Sequence, residues 1–472
     1  MSDRDLAFTP AHELSEMVTR KAVSPVELAE LYLRRIEELD PKLNAFLTVT
    51  GDEAMAAARA AEQAVVEGGR LGSLHGIPIS VKDLEATAGV RTTFGSLIFQ
   101  DHVPDSDSGT VERVRVSGAI ILGKTNTPEF GMRGTTENRL GDACRNPWDT
   151  ARTPGGSSGG ATAALAAGLC PLATASDAGG SIRIPGSFTG VYGIKPTLGR
   201  VPRFGGVARP APNPVAQPGP MARTVRDTAM LLQAMAGPHD RDANMLRQSP
   251  PDFLDGLDLG VNGLRIAWSP DLGYATVDPE VGRLTAEAAR VFEELGASVD
   301  EPGVSMVQPF GRMSAIVSAN AYASYGDHLE ERPGDLTDYA RSRLEKGKQV
   351  TGVEYAVALR ELELLRFQMA TLLETYDLLM TPTMAVPAFE IGQHPTEIGG
   401  RAVERDWGFN PFNVVFNLTG QPAASVPCGF SSGGLPIGLH IVGRLWDEAT
   451  VLRASAAFEE ARPWADKLPP VS

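Results

Sequence analysis

The stretch Pro154–Pro185, PGGSSGGATAALAAGLCPLATASDAGGSIRIP, is the most unusual part of the chain. A glycine-rich block, Gly155–Gly160, precedes an alanine-rich segment, Ala161–Ala167, which predicts a helix. A short apolar run, Leu172–Ala175, predicts a strand and leads into a second block, Ser176–Arg183. The stretch therefore predicts a loop, a helix, a strand and a second loop in close succession.

Short apolar runs and helical segments also alternate outside this stretch. The runs bounded by Gly and Pro include Ile77–Val81, Ala119–Leu122 and Arg265–Trp268, and the helical segments include Val111–Ser117 and Val225–Met235. Such alternation is typical of an α/β protein with a largely buried sheet.

The organisation of the chain predicts one unit, because we find neither an internal repeat nor a convincing linker. We therefore expect a single domain over residues 1–472, with an N-terminal helical segment at about 1–68. The segments Val201–Pro220 and Pro382–Arg401 are predicted as long loops, either lids and pocket walls or surface connections.

Composition excludes several classes of function. The chain has 472 residues and a net charge of -15, and an acidic surface repels nucleic acid. Its three cysteines, Cys144, Cys170 and Cys428, are far apart, so we expect neither disulfides nor a zinc site. The N-terminus lacks the apolar core of a signal peptide, and no apolar run is long enough to span a membrane. We expect a soluble, cytoplasmic protein without metal or cofactor.

The second block contains a candidate nucleophile. Gly179 and Gly180 free the backbone to turn its N–H groups toward one point, as an oxyanion requires, and Ser181 follows them. Each glycine block by itself also fits an ordinary turn with a capping serine.

Lys82 is a candidate base at the end of the strand-like run Ile77–Val81. A free lysine titrates near 10.4, and burial can lower that pKa by several units. Position alone also fits a surface lysine.

Taken together, these pieces resemble the amidase signature family over nearly the whole chain. The matching segments are Val81–Asp83, Gly123–Phe130, Gly155–Arg183, Gly193–Thr197, Asn417–Phe430 and Pro436–Leu439. More loosely, the chain resembles the aryl acylamidases, nylon-oligomer hydrolases and urethane-cleaving amidases of that family. The resemblance implies a single α/β/α domain with a large twisted mixed β-sheet flanked by helices.

The resemblance also implies a Ser–cis-Ser–Lys triad. Ser181 would be the nucleophile, Ser157 the proton relay after a cis peptide, and Lys82 the neutral base. The oxyanion hole would consist of the backbone N–H groups of residues Ala178, Gly179, Gly180 and Ser181. Ser158, Asp177 and Arg183 are expected to support the site, and Arg183 could alternatively meet a substrate carboxylate.

Three other hypotheses use the same sequence. Gly155–Gly159 fits the nucleophile elbow of an α/β-hydrolase with Ser157 as nucleophile, although Thr150–Pro154 makes a poor preceding strand. Its base would be one of three histidines, His328, His394 and His440. Gly118–Thr125 matches the P-loop pattern, but its interior is typical of a strand.

The third hypothesis is the glutaminase subunit of a tRNA-dependent amidotransferase. That subunit usually has Gln after the Arg of the second block, where this chain has Ile184, and Val215–Pro220 also departs from its pattern. A stand-alone amidase is favoured, and a catalytically dead binding protein is disfavoured because all three triad positions are occupied.

The substrate is the least determined part of the prediction. We expect a small amide or carbamate, with esters as further candidates and an apolar or aryl group. The candidate pocket residues are Met132, Tyr322, Tyr325, Phe412 and Phe416. Dimers are common in the family, which makes a homodimer one expected state.

Overall fold

A computed structural model describes residues 2–206 and 214–472. Its strands are β1 (Phe46–Val49), β2 (Pro78–Lys82), β3 (Ile120–Thr125), β4 (Leu172–Asp177), β5 (Tyr192–Lys195), β6 (Gln217–Ala222), β7 (Arg265–Trp268), β8 (Ser298–Asp300), β9 (Leu378–Pro382), β10 (Glu397–Ile398), β11 (Arg401–Ala402), β12 (Ala423–Phe430) and β13 (Pro436–Gly443). Its α-helices are α1 (Asp3–Phe8), α2 (Ala11–Thr19), α3 (Pro25–Leu43), α4 (Gly51–Glu67), α5 (Gly109–Val116), α6 (Gly159–Ala166), α7 (Arg183–Thr189), α8 (Val225–Met235), α9 (Pro279–Glu294), α10 (Phe310–Glu331), α11 (Asp338–Gln349), α12 (Gly352–Thr375), α13 (Asn413–Thr419) and α14 (Glu448–Ala461).

Eleven of the described strands form one mixed sheet in the order β1-β3-β2-β4-β6-β5-β12-β13-β9-β7-β8. Strands β3, β2 and β4 are parallel neighbours, and so are β9, β7 and β8, whereas the other pairs are antiparallel. The predicted fold class, a large mixed sheet flanked by helices, is confirmed. Because β2 and β4 are parallel, Lys82 and Asp177 lie at the same edge of the sheet, where α/β proteins place their sites.

Alternating side chains divide the core into layers. Ile79 and Val81 of β2 pack in one apolar cluster with residues of α8, α9 and α14. Ala173 and Ala175 of β4 pack in a second cluster with residues of α3, α4 and α6. Since successive strand residues point to opposite faces, Lys82 points to the face opposite Val81.

The N-terminal segment differs from the predicted helical segment. Residues Phe46–Val49 form β1, which pairs with the edge of β3, so residues 1–68 are not helical throughout. The helix boundaries at Ser24, which has a capping box, and at Gly68, which adopts φ 71°, agree with the prediction.

The predicted loop Val201–Pro220 was wrong at its end, because Gln217–Ala222 is strand β6. Pro218 and Pro220 disguise it, since proline is depleted in strands. Their spacing of two directs both missing N–H groups to one side, and β5 pairs only with the last two residues of β6, Met221 and Ala222. Residues 207–213 of that predicted loop lie outside the described residues. The other predicted loop contains the small β10–β11 pair.

Candidate active site

Lys82 ends β2 with a fully buried side chain. Its Nζ lies 2.7 Å from Ser157 Oγ, 2.8 Å from Ser158 Oγ and 3.3 Å from the Ser176 carbonyl oxygen. Among the described residues no carboxylate lies within 4 Å of this nitrogen. Three neutral oxygens therefore surround a lysine that has no ion-pair partner.

Burial lowers the pKa of Lys82 to about 7, against the opposing attraction of Asp177 and Glu85. A neutral amine has two N–H donors and one lone pair. Two of its three neighbours can accept those protons while the hydroxyl of Ser157 donates to the lone pair. The geometry therefore fits a neutral lysine that can accept a proton from Ser157.

The peptide bond between Gly156 and Ser157 is cis, as the family resemblance implies. Gly156 packs so closely that an added Cβ would lie 2.6 Å from the Thr135 carbonyl oxygen. The N–H of Ser158 donates to the Ser181 carbonyl oxygen at 3.2 Å, which holds the two blocks together just before α6 begins.

The Asp177 carboxylate organises the second block. Its two oxygens accept the N–H groups of Gly180 at 2.7 Å and Ile182 at 3.1 Å, so the chain wraps around the carboxylate. Gly180 adopts φ 118°, where a Cβ would lie 2.8 Å from Asn413. Only glycine fits this turn, and Ser181 follows it with 8% exposure, the most accessible of the three predicted triad residues.

The oxyanion-hole prediction needs a correction at one of its four groups. Because the Gly180 N–H donates to Asp177, it is not available to an oxyanion. In the part of the chain that the structure describes, the N–H groups of Ala178, Gly179 and Ser181 have no protein acceptor. These three remain the candidate donors.

Arg183 is fully buried and paired with the same carboxylate. Its Nε and Nη2 donate to Asp177 at 2.9 Å, and its remaining contacts are Asn417 Oδ1, the Asn413 carbonyl oxygen and His440 Nε2. Burial alone would raise the pKa of Asp177, but Arg183 holds that pKa well below its usual range. The guanidinium is thus engaged within the protein, which favours the supporting role over substrate binding.

The sequence reasoning did not single out the asparagines of this network. Asn410 Nδ2 donates to the Gly179 carbonyl oxygen at 2.8 Å, and Asn413 Nδ2 donates to Asn410 Oδ1. Asn417 Nδ2 donates to Asp177. Two asparagines in the apolar helix α13, NVVFNLT, were a usable signal, because buried amides require partners.

A cavity of about 1480 Å³ lies beside the nucleophile loop. Its wall includes Met313 and Val414, and both lie within 4 Å of the position that a Cβ on Gly179 would occupy. On another side the wall includes Met132 and Arg133, which follow Gly131, whose Cβ position is 3.3 Å from Ser157 Oγ. The cavity therefore adjoins both serine blocks.

Of the five predicted pocket residues, the structure places only Met132 in the cavity wall. Tyr325 instead stacks on Phe130 with a centroid distance of 3.9 Å, and Tyr322 packs in the same cluster. Phe412 and Phe416 are fully buried beneath the cavity, because helix α13 turns Val414 rather than Phe416 toward it. The aromatic lining comes from Tyr274, Phe310, Tyr339 and Trp407.

The alternative hypotheses find little geometric support. His440 contacts Arg183 and Thr381, His394 contacts Arg133 and the Arg405 carbonyl oxygen, and His328 contacts the Phe99 ring, while Ser157 contacts Lys82. The P-loop match falls largely on strand β3, where Lys124 is buried and lies 3.6 Å from Asp83. That segment offers no loop around a phosphate.

Three further features concern partners and metals. None of the helices that the structure describes is long and apolar enough to cross a membrane. Within residues 2–206 and 214–472 no cluster of three His, Cys, Asp or Glu residues could hold a metal ion. All three cysteines are free thiols.

Fold and site together define an α/β enzyme with a lysine–serine centre at the carboxyl edge of a mixed sheet. The family model Amidase matches residues 27–452, and the chain belongs to this family of amide-hydrolysing enzymes. An acylamidase of Rhodococcus erythropolis is 37% identical over 479 aligned positions, which cover 99% of this chain and 98% of that protein. A glutamyl-tRNA(Gln) amidotransferase subunit of Moorella thermoacetica is also 37% identical, over 98% of this chain and 99% of that protein.

Solved structures give the same assignment. A bacterial aryl acylamidase of the amidase signature family superposes with a TM-score of 0.91 at 33% identity, covering 97% of each chain. A 6-aminohexanoate cyclic dimer hydrolase in complex with substrate superposes with a TM-score of 0.88 at 30% identity, covering 98% of this chain and 99% of that chain.

Proposed function

We propose that the chain hydrolyses small amide-type substrates through an acyl-enzyme formed on Ser181, with Ser157 as relay and Lys82 as base. The observation that carries this proposal is the 2.7 Å contact between the buried, ion-pair-free Lys82 Nζ and Ser157 Oγ. A lysine whose pKa is about 7 can accept a proton near neutral pH, which an exposed lysine cannot.

In the first step Ser181 Oγ bonds to the substrate carbonyl carbon. Its proton passes to Ser157 Oγ, and the proton of Ser157 passes to Lys82 Nζ. The negative charge on the former carbonyl oxygen is stabilised by the N–H groups of Ala178, Gly179 and Ser181.

In the second step the C–N bond breaks. The proton on Lys82 returns to Ser157, and the proton of Ser157 moves to the leaving nitrogen, which departs as an amine. A water molecule then attacks the acyl-enzyme along the same relay and releases the acid. The same sequence applies to carbamates and esters, which we propose as further substrates beside amides with an apolar or aryl group.

A release assay with p-nitroanilides, aryl amides and aryl carbamates tests this function. We expect wild-type turnover that Ser181→Ala abolishes, together with a mass increase on Ser181 equal to the acyl group when the reaction is quenched early. Turnover that persists in Ser181→Ala would contradict the nucleophile assignment.

A second candidate function is supported by the similarity to the glutamyl-tRNA(Gln) amidotransferase of Moorella thermoacetica. Such a chain would release ammonia from glutamine within an assembly. Glutamine hydrolysis by the purified chain, appearing only when the other chains of the assembly are added, would favour that function over the stand-alone amidase. The homodimer stays a prediction, which analytical ultracentrifugation would test.

A further inference from the structure

The cavity beside the nucleophile loop has a charge opposite to that of the chain. The chain carries a net charge of -15. The cavity wall nevertheless contains six arginine and lysine residues and only three aspartate and glutamate residues. An acidic protein that collects cations around one cavity favours an anionic ligand there.

Half of these cations already have partners in the protein. Arg133 lies 3.0 Å from Glu137, Arg139 donates to the carbonyl oxygens of Gly334 and Leu336, and Arg341 lies 3.5 Å from Asp338. Of the acidic side chains, Glu404 accepts the N–H groups of Asp406 and Trp407. These groups hold the wall together, so they are not free to bind a ligand.

The other three cations are Arg343, Lys346 and Arg405. Within the described ranges none of these side chains has a hydrogen bond or an ion pair, and the one carboxylate of the wall that is likewise without such a partner is Asp406. Arg343 and Lys346 are three residues apart on α11, so they lie on the same side of that helix.

Arg343 is the best placed of the three. Its guanidinium is half-buried and lies 5.8 Å from the centroid of the Trp407 ring, which holds it over the cavity wall. Burial lowers the pKa of Arg343, with Asp406 acting in the opposite direction. A guanidinium that has lost water without gaining an acceptor lacks a partner that a carboxylate would supply through two parallel hydrogen bonds.

We propose that the substrate carries a carboxylate remote from the scissile bond, and that Arg343, assisted by Lys346, binds it. This inference rests on the proposed function for the cleavage step and adds a class of substrate to it. The preferred substrates are then amides or carbamates of dicarboxylic acids or amino acids, with the aromatic wall in contact with the connecting chain.

Two matched substrate pairs test the proposal on either side of the scissile bond. The acyl-side pair is the 4-nitroanilide of glutaric acid against that of pentanoic acid. The amine-side pair is 4-acetamidophenylacetate against 4-ethylacetanilide. For at least one pair we expect wild-type kcat/KM to favour the anion by about tenfold or more, and rising salt to reduce that preference.

Three variants locate the effect. Arg343→Met should bring the ratio of anion to neutral kcat/KM close to one, and Arg343→Lys should retain part of it, because it keeps the charge but loses the planar fork. Arg290→Met is the matched control, since Arg290 is an exposed arginine of α9 outside the cavity wall, and it should leave the ratio at the wild-type value. A wild-type ratio of one or less in both pairs, or a preference that survives Arg343→Met, would overturn the proposal.

Binding separates this inference from the proposed function. If none of the four compounds is turned over, the proposed function fails. Calorimetric titration of Ser181→Ala with the two 4-nitroanilides still examines the anion site. Tighter binding of the glutaric compound, lost in the Ser181→Ala, Arg343→Met double variant, would support the site, and equal binding would refute it.

Discussion

The two sides of the nucleophile loop differ in how their charges are satisfied. On the inner side Asp177 and Arg183 are fully buried, 2.9 Å apart and surrounded by further hydrogen bonds. On the cavity side Arg343 and Lys346 are charged groups without a protein partner in the described structure. The difference indicates that the inner side is preorganised for the chemical step, whereas the cavity side is completed only by a ligand.

The largest expected effect comes from removing the nucleophile itself. Ser181→Ala deletes one hydroxyl at the boundary between the two sides and leaves the Asp177 contacts unchanged. We expect kcat on an aryl amide to fall by about 10⁴-fold or more. Thermal unfolding should be close to wild type, because the Ser181 carbonyl still accepts from Ser158. A variant that keeps even a tenth of the activity would show that the nucleophile lies elsewhere.

Two buried lysines on neighbouring strands allow a matched test of the base. Lys82 is surrounded by neutral oxygens, whereas Lys124 lies 3.6 Å from Asp83 and donates to Thr92. Lys82→Met should lower kcat by about 10²- to 10⁴-fold with little loss of stability, because no buried carboxylate loses its cation.

Lys124→Met should have the reverse pattern. It leaves Asp83 and Glu85 buried without their nearest cation, so we expect about 3 kcal/mol or more to be lost from the free energy of unfolding. Urea denaturation and kcat measured on both variants give the comparison. Equal losses of stability would mean that Lys82 is also a structural cation.

The pH dependence examines the same lysine without a mutation. Since the pKa of Lys82 is lowered to about 7, the amine is charged below that pH and cannot take a proton. Activity should therefore fall about tenfold for each pH unit below 7 and reach a plateau above it. The measurement is kcat/KM against pH with a neutral anilide, so that substrate ionisation does not contribute. A maximum near pH 5 would be incompatible with a lysine base.

Sequence predicted the inner side well because its residues are local. The blocks around Ser157 and Ser181, the helix between them and the strand before Asp177 lie within Pro154–Pro185, and the hydrogen bonds among them span short distances along the chain. Lys82 required a second segment, but the end of an apolar strand parallel to β4 is a recognisable position for it.

The cavity side was predicted poorly because its wall is assembled from distant elements. Helix α13 contains Phe412 at its cap and Phe416, and composition alone cannot tell that both turn into the core while Val414 turns out. The rotation of a short helix is decided by what packs on either side of it. Arg343 and Trp407 meet across 64 positions of sequence, which no local pattern indicates.

The smallest effect that we predict concerns the asparagine that bridges the two sides. Asn410 holds the Gly179 carbonyl at 2.8 Å, and Gly179 supplies one of the three candidate oxyanion donors. Asn410→Ala should cost about 1 to 3 kcal/mol of stability, because a buried carbonyl loses its donor. It should also lower kcat by about tenfold with a smaller change in KM, since the misplaced peptide matters most in the transition state.

Asn146 provides the control for that variant, because it is a buried asparagine whose amide donates to the carbonyl oxygens of Thr153 and Phe188 outside the nucleophile loop. Asn146→Ala should lose similar stability, measured by urea denaturation, while the folded fraction keeps its kcat. If both variants lower kcat alike, the effect of Asn410 is one of general packing, and the inner side does not depend on this bridge for its oxyanion geometry.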